Sequence, residues 1–234
     1  MLNIGRSLII ENKFILFIVL FITFVLIVGN IYLSKKTMNV MSKSKAPYQI
    51  TWLSQAIVLN TISQILLMIY LYSGFGRIYV NYMALLAQVY YLLFFTKFRI
   101  RDDRNHRKII ILLLYIYICV IIYFIFDDAY SIRNGSSTAT FLISWVKAFR
   151  PMLLLSCPAM SCLYLIRSIL KNNYRDTVKK EKIVVLFTTI FLIISVMDEY
   201  HFPLYFIIYQ ILSLWSNKLL IINVVKDKGR FLND

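Results

Sequence analysis

The chain has 234 residues, is 60% hydrophobic, and sets 26 Lys and Arg against 11 acids, a net charge of +15. A soluble domain of this length must cover itself with polar side chains, and too few are present, so a soluble class is excluded in favour of an integral membrane protein. The excess of positive charge lies in short loops between apolar runs, where membrane orientation accounts for it and nucleic-acid binding by the chain is not expected.

A spanning helix needs about 20 apolar residues. Seven segments meet or approach that length: Phe14 to Leu33, Trp52 to Tyr72, Ile78 to Phe95, Ile109 to Phe126, Pro151 to Ile169, Ile183 to Met197 and Pro203 to Val225. The expected fold is therefore all-α, a single polytopic seven-helix domain over residues 1–234. Their continuous apolarity argues against a barrel, whose strands are shorter and alternate. Ahead of the first segment, Arg6 and Lys13 resemble the start of a secretory signal. The apolar run is too long for a signal core and no small-residue cleavage site follows, so a retained helix is expected. The sixth segment is short and is expected to extend at either end.

The connections alternate in charge. Lys35, Lys36, Lys43 and Lys45 follow the first segment, and Lys97 to Lys108 hold six cations after the third. Arg167 to Lys182 hold six more around the end of the fifth, and Lys226, Lys228 and Arg230 follow the seventh. The other three connections are rich in Gly, Ser and acids. The positive-inside rule then predicts the N-terminus out and the C-terminus in, in the inner (cytoplasmic) membrane of a bacterium-like cell. The basic stretch "RIRDDRNHRK" is expected to fix this topology and to touch anionic lipid. Asn134-Gly-Ser matches a glycosylation acceptor on the outer side, a signal of little weight in a bacterial-looking chain.

"WVKAFRPMLLLSCPAM", residues 145–160, places Lys147 and Arg150 at the head of the fifth segment. Cations at bilayer depth are costly and mark function. Pro151 suits a first helical turn, which would put both cations at the outer mouth instead. The preceding Phe141, Leu142, Trp145 and Phe149 recur at helical spacing, as an outward extension of the helix or as an interfacial segment. Trp145 suits the interfacial aromatic belt.

The outer loops also carry Asp127, Asp128, Asp198, Glu199 and His201, with Arg77 and Arg133 nearby. Two readings follow. Asp198 or Glu199 pairs with Lys147 or Arg150 and pins the loops, or these groups clamp an anionic ligand through the bidentate fork of Arg. The candidate ligand-binding residues are Lys147, Arg150, Asp198 and Glu199, with Trp145 lining the mouth.

Within the spans, Asn60, Ser63, Gln64, Gln88, Ser156, Ser161 and Gln210 either join helices by hydrogen bonds or line a path. Pro158 between Ser156 and Ser161 is a candidate kink. Cys119, Cys157 and Cys162 lack metal spacing and read as small buried residues. His106 and His201 lack metal-ligand partners, and no catalytic constellation, phosphate loop or zinc motif is present, so neither an enzyme nor a cofactor is expected. Lys218 sits too near the inner end of the last segment for a retinal attachment.

The seventh segment, "HFPLYFIIYQILSLWSNKLL" over residues 201–220, resembles the last helix of the seven-helix membrane sensor domains of bacterial LuxR-type and histidine-kinase signalling proteins. The topology and the Arg-Pro step before the fifth segment are compatible with that group. The resemblance implies a sensory module that detects an extracytoplasmic or membrane cue and relays it to a cytoplasmic output domain or partner protein. The output domain itself is not within these residues, which end "VVKDKGRFLND". A rival expectation is a small-solute carrier with a SWEET-like layout, in which Ile109 to Phe126 is the linker helix and Asn60, Gln64, Gln88, Ser161 and Gln210 form the substrate site. A third is a subunit of a larger membrane complex.

Overall fold

The computed structural model describes residue 9 and residues 12–41, 47–74, 76–99, 104–134, 141–170, 176–198 and 201–226. Among them are seven long helices: α1 (Lys13–Met41), α2 (Pro47–Ser73), α3 (Arg77–Arg99), α4 (Arg104–Asn134), α5 (Phe141–Leu170), α6 (Asp176–Met197) and α7 (Phe202–Lys226). Six of them, all but α6, are long and apolar enough to cross a membrane, the pattern of a multi-pass membrane protein. The expected all-α architecture is present, with each helix running past the apolar segment that announced it.

Local chemistry sets several boundaries. Asn12 caps α1, its Oδ1 accepting from the N–H groups of Phe14 at 3.1 Å and Ile15 at 3.3 Å. Gly74 and Gly76 take positive φ of 80° and 91°, which turns the chain sharply from α2 into α3. Asp198 closes the α6–α7 turn by accepting from the His201 N–H at 3.1 Å.

α3 is the axis of the bundle. In its spanning window 78% of residues are buried, against 22% for α1 and 28% for α4. It packs on α2, α4 and α6, while α1 rests on α2 and closes against α7. Large apolar side chains such as Phe14, Phe17, Phe21 and Phe24 project from α1 into the surroundings. Water would penalise that surface and a hydrocarbon solvent does not. At one end of the bundle Arg77 donates to the Val196 carbonyl at 3.4 Å and lies 5.0 Å from the Phe202 ring, so the α2–α3 and α6–α7 turns share that end.

α5 differs from the reading of Pro151 as a first-turn residue. The helix is continuous from Phe141, so Pro151 and Pro158 both lie inside it. The stretch before Pro151 is thus an extension of the helix and not a separate interfacial segment. Each proline removes the N–H that would bond the carbonyl four residues back, at Lys147 and at Leu154.

α6 reaches back to Asp176, so its early turns carry Glu181 and Lys182, both buried. The Lys182 ammonium donates to Ser168 Oγ on α5, which holds a charge against a neighbouring hydroxyl.

Candidate functional site

Arg150 lies one residue before Pro151 on α5, on the face turned to α3 and α4. Its Nη1 donates to Asp128 Oδ1 at 2.8 Å, and its Nη2 reaches Asp128 Oδ2 and the Tyr82 hydroxyl. Tyr82 in turn donates to Asp128 Oδ2 at 2.7 Å. The guanidinium carbon sits 4.8 Å from the Phe124 ring and 5.5 Å from the Tyr82 ring. This is a bidentate fork on one carboxylate, flanked by two aromatic faces. The Arg150 and Asp128 side chains are 15% and 16% exposed, so solvent screens the pair little. One side chain thereby ties three helices together.

Of the two readings, the pairing of Arg150 with Asp198 is corrected: among the described residues the carboxylate that meets Arg150 is Asp128. The physical reason is adjacency, because α4 and α5 are consecutive helices whose neighbouring ends meet. Asp198 instead contacts the His201 ring at 3.1 Å beside the α6–α7 turn. Of the five residues singled out as a ligand site, Arg150 and Asp198 thus engage different partners. The side chains of Lys147 and Trp145, and Glu199 altogether, lie outside the described residues.

Below the clamp, α4 and α5 separate. Tyr117 on α4 donates its hydroxyl to the Leu154 carbonyl, the acceptor that Pro158 leaves without a helical donor. Past that bond a groove of about 410 Å³ opens between the two helices. Its floor is Leu92, Phe95 and Thr96 of α3, and its walls are mostly apolar, with Val120 and Leu113 on one side and Met160 and Tyr164 on the other. Ser156 and Ser161 line it, but each spends its hydroxyl on its own helix, at the Leu153 carbonyl (2.7 Å) and the Cys157 carbonyl (2.8 Å). They do not join helices. Cys157 is half-buried in the wall, and Cys119 is exposed on α4, which corrects the expectation that all three cysteines are buried. An apolar surface turned to lipid and an apolar core read alike in sequence.

The other polar residues of the spans form a buried belt between α2, α3, α6 and α7. Asn60 donates to Ser213 at 2.6 Å and accepts from the Tyr209 hydroxyl at 2.9 Å. Gln64 donates to Gln210 at 2.9 Å, and Gln210 donates to Ser63 at 2.8 Å. Gln88 donates to Thr189 at 2.7 Å, and Tyr91 bonds Ser216. Asn60, Gln64, Gln88 and Gln210 are thus interhelical ties, while Ser161 stands apart from them in the groove. The sequence marked these amides but not Tyr209, Tyr91 or Thr189, which complete the belt, nor Tyr82 and Tyr117, which serve the fork and the α4–α5 contact. In a chain with 17 Tyr, composition alone does not single out the few that donate.

Among the described residues no group of His, Cys, Asp and Glu is arranged to hold a metal ion. Comparison with known proteins found no match to a family model, a curated protein or a solved structure.

Proposed function

We propose that the chain is a membrane-embedded sensory module whose α4–α5 pair moves against a fixed frame. The carrying observation is the contrast in how helices are joined. The belt of buried amides and hydroxyls binds α2, α3, α6 and α7 across their depth. α4 and α5 are tied to each other by the Arg150–Asp128 fork at one end and the Tyr117–Leu154 bond at mid-span, diverge beyond it, and meet the frame through Arg150 at Tyr82 and through Ser168 at Lys182. A two-state response needs an element that a cue can bias by differential contact, and this pair supplies one. In this reading the termini are N-out and C-in across a cytoplasmic membrane, with α6 as the seventh span. The fork then faces outward, and the end of α7 reports the change to a cytoplasmic output or partner.

Spin labels on the basic ends of α4 and α5 of the full chain in bilayers test the motion. Two distances are expected, with their ratio shifted by Arg150→Ala. A single distance that is unmoved by the substitution would refute the reading.

The carrier alternative draws support from amides at mid-depth. Their mutual hydrogen bonds describe ties between helices, however, and uptake into proteoliposomes that fails on change of Gln88 or Gln210 is what would favour it.

A further inference from the structure

On the side away from the Arg150 fork, the last lining residues of the groove between α4 and α5 each lie within one helical turn of a cation on their own helix. Ile110 on α4 and Tyr164 with Leu165 on α5 form its last lining. Lys108 begins the spanning part of α4, and Arg167 occupies the last turn of α5, where that span ends at Leu170. Both are exposed. α5 contains no acid at all and α4 none before Asp127, so neither helix supplies a counter-charge at this end. An apolar slot that opens sideways toward hydrocarbon loses dispersion contacts unless a chain fills it. Two cations at the interface where that slot begins attract a negative headgroup.

We propose that this groove is a binding site for an anionic phospholipid. One acyl chain lies along Leu113, Tyr117, Cys157 and Met160, and the phosphate rests between Lys108 and Arg167. The apolar walls select a chain over a soluble anion, and the paired cations select an anionic over a zwitterionic headgroup. Lys supplies a point charge and Arg a fork for two phosphate oxygens. The site is independent of the sensory reading: the groove and the cations are present whether or not α4 and α5 move.

The test uses the full chain in nanodiscs of equal dioleoyl phosphatidylglycerol and dioleoyl phosphatidylcholine, with retained lipid counted by native mass spectrometry. Retention of phosphatidylglycerol is expected, and the variant Lys108→Ala/Arg167→Ala is expected to lose about 30-fold of that preference, from roughly fivefold per cation. Both positions are exposed, so the thermal midpoint in detergent should be unchanged. Ser161→Phe, which fills the groove, is expected to expel the lipid while both cations remain. Phosphatidylglycerol with a diazirine on its acyl chain should label α4 and α5 beside Tyr117 and Cys157. Equal retention of the two lipids, an unaltered preference in the double variant, or label spread evenly over the exposed face of α1 would each overturn the site.

Discussion

Removing the Tyr117 hydroxyl examines how an interior proline is tolerated. Pro158 has no N–H, so the Leu154 carbonyl has no partner four residues ahead, and Leu154 is 7% exposed. Tyr117 supplies the missing donor from another helix. Tyr117→Phe keeps the ring and orphans the acceptor. A buried polar group without a partner costs about 1–3 kcal/mol, while interhelical hydrogen bonds in a bilayer average about 0.6 kcal/mol, so a loss of about 1–2 kcal/mol is expected. Pro158→Ala restores a helical donor to the same carbonyl. In that background the loss from Tyr117→Phe should fall below about 0.5 kcal/mol. The cycle is read from reversible unfolding in mixed micelles, with coupling taken as the departure from additivity. Equal losses in both backgrounds, within about 0.3 kcal/mol, would show that the tyrosine does not act by serving the proline.

Two further substitutions probe other joints. Asp128→Asn leaves Arg150 poorly compensated and should lower stability by about 1.5–3 kcal/mol, whereas Asp128→Asn with Arg150→Met should recover most of that; thermal unfolding in detergent distinguishes the two. Gly76→Ala meets no atom within 4 Å yet must hold a φ of 91°, so its cost of about 1–2 kcal/mol is conformational and should appear in the same melts.

The helices were legible because a bilayer demands unbroken apolar length, and Phe14 to Leu33 or Pro203 to Val225 admit no other reading. The beginning of α5 was not. Pro151 fits a first turn so well by its own chemistry that only the continuous backbone from Phe141 shows it to be internal. The partner of Arg150 turned on which loop carboxylate stood nearer, and that is a matter of helix adjacency, which hydropathy does not encode. A donor for Leu154 was demanded by Pro158 from the outset, since an interior proline always frees a carbonyl. Naming Tyr117 required knowing which face of α4 turns to α5. The amides of the belt were visible as residues out of place in an apolar run, and their hydroxyl partners were not, because Tyr, Ser and Thr are unremarkable there.

α6 has a consequence for how the chain is made. Its apolar run begins only at Ile183, after Lys179, Lys180, Glu181 and Lys182. Near a helix centre a single Lys costs about 2.5–3.5 kcal/mol on translocon scales, and although these residues lie toward one end, such a segment is a poor lone substrate for the insertion machinery. Ser168 meets Lys182 only once α5 is in place, and the turn closed by Asp198 and His201 joins α6 to α7, whose spanning part carries a single charge, Lys218. In the seven-span arrangement proposed above, α6 therefore enters late, as one arm of a hairpin pulled in by α7. A ribosome halted before Phe202 would leave it stranded at the surface.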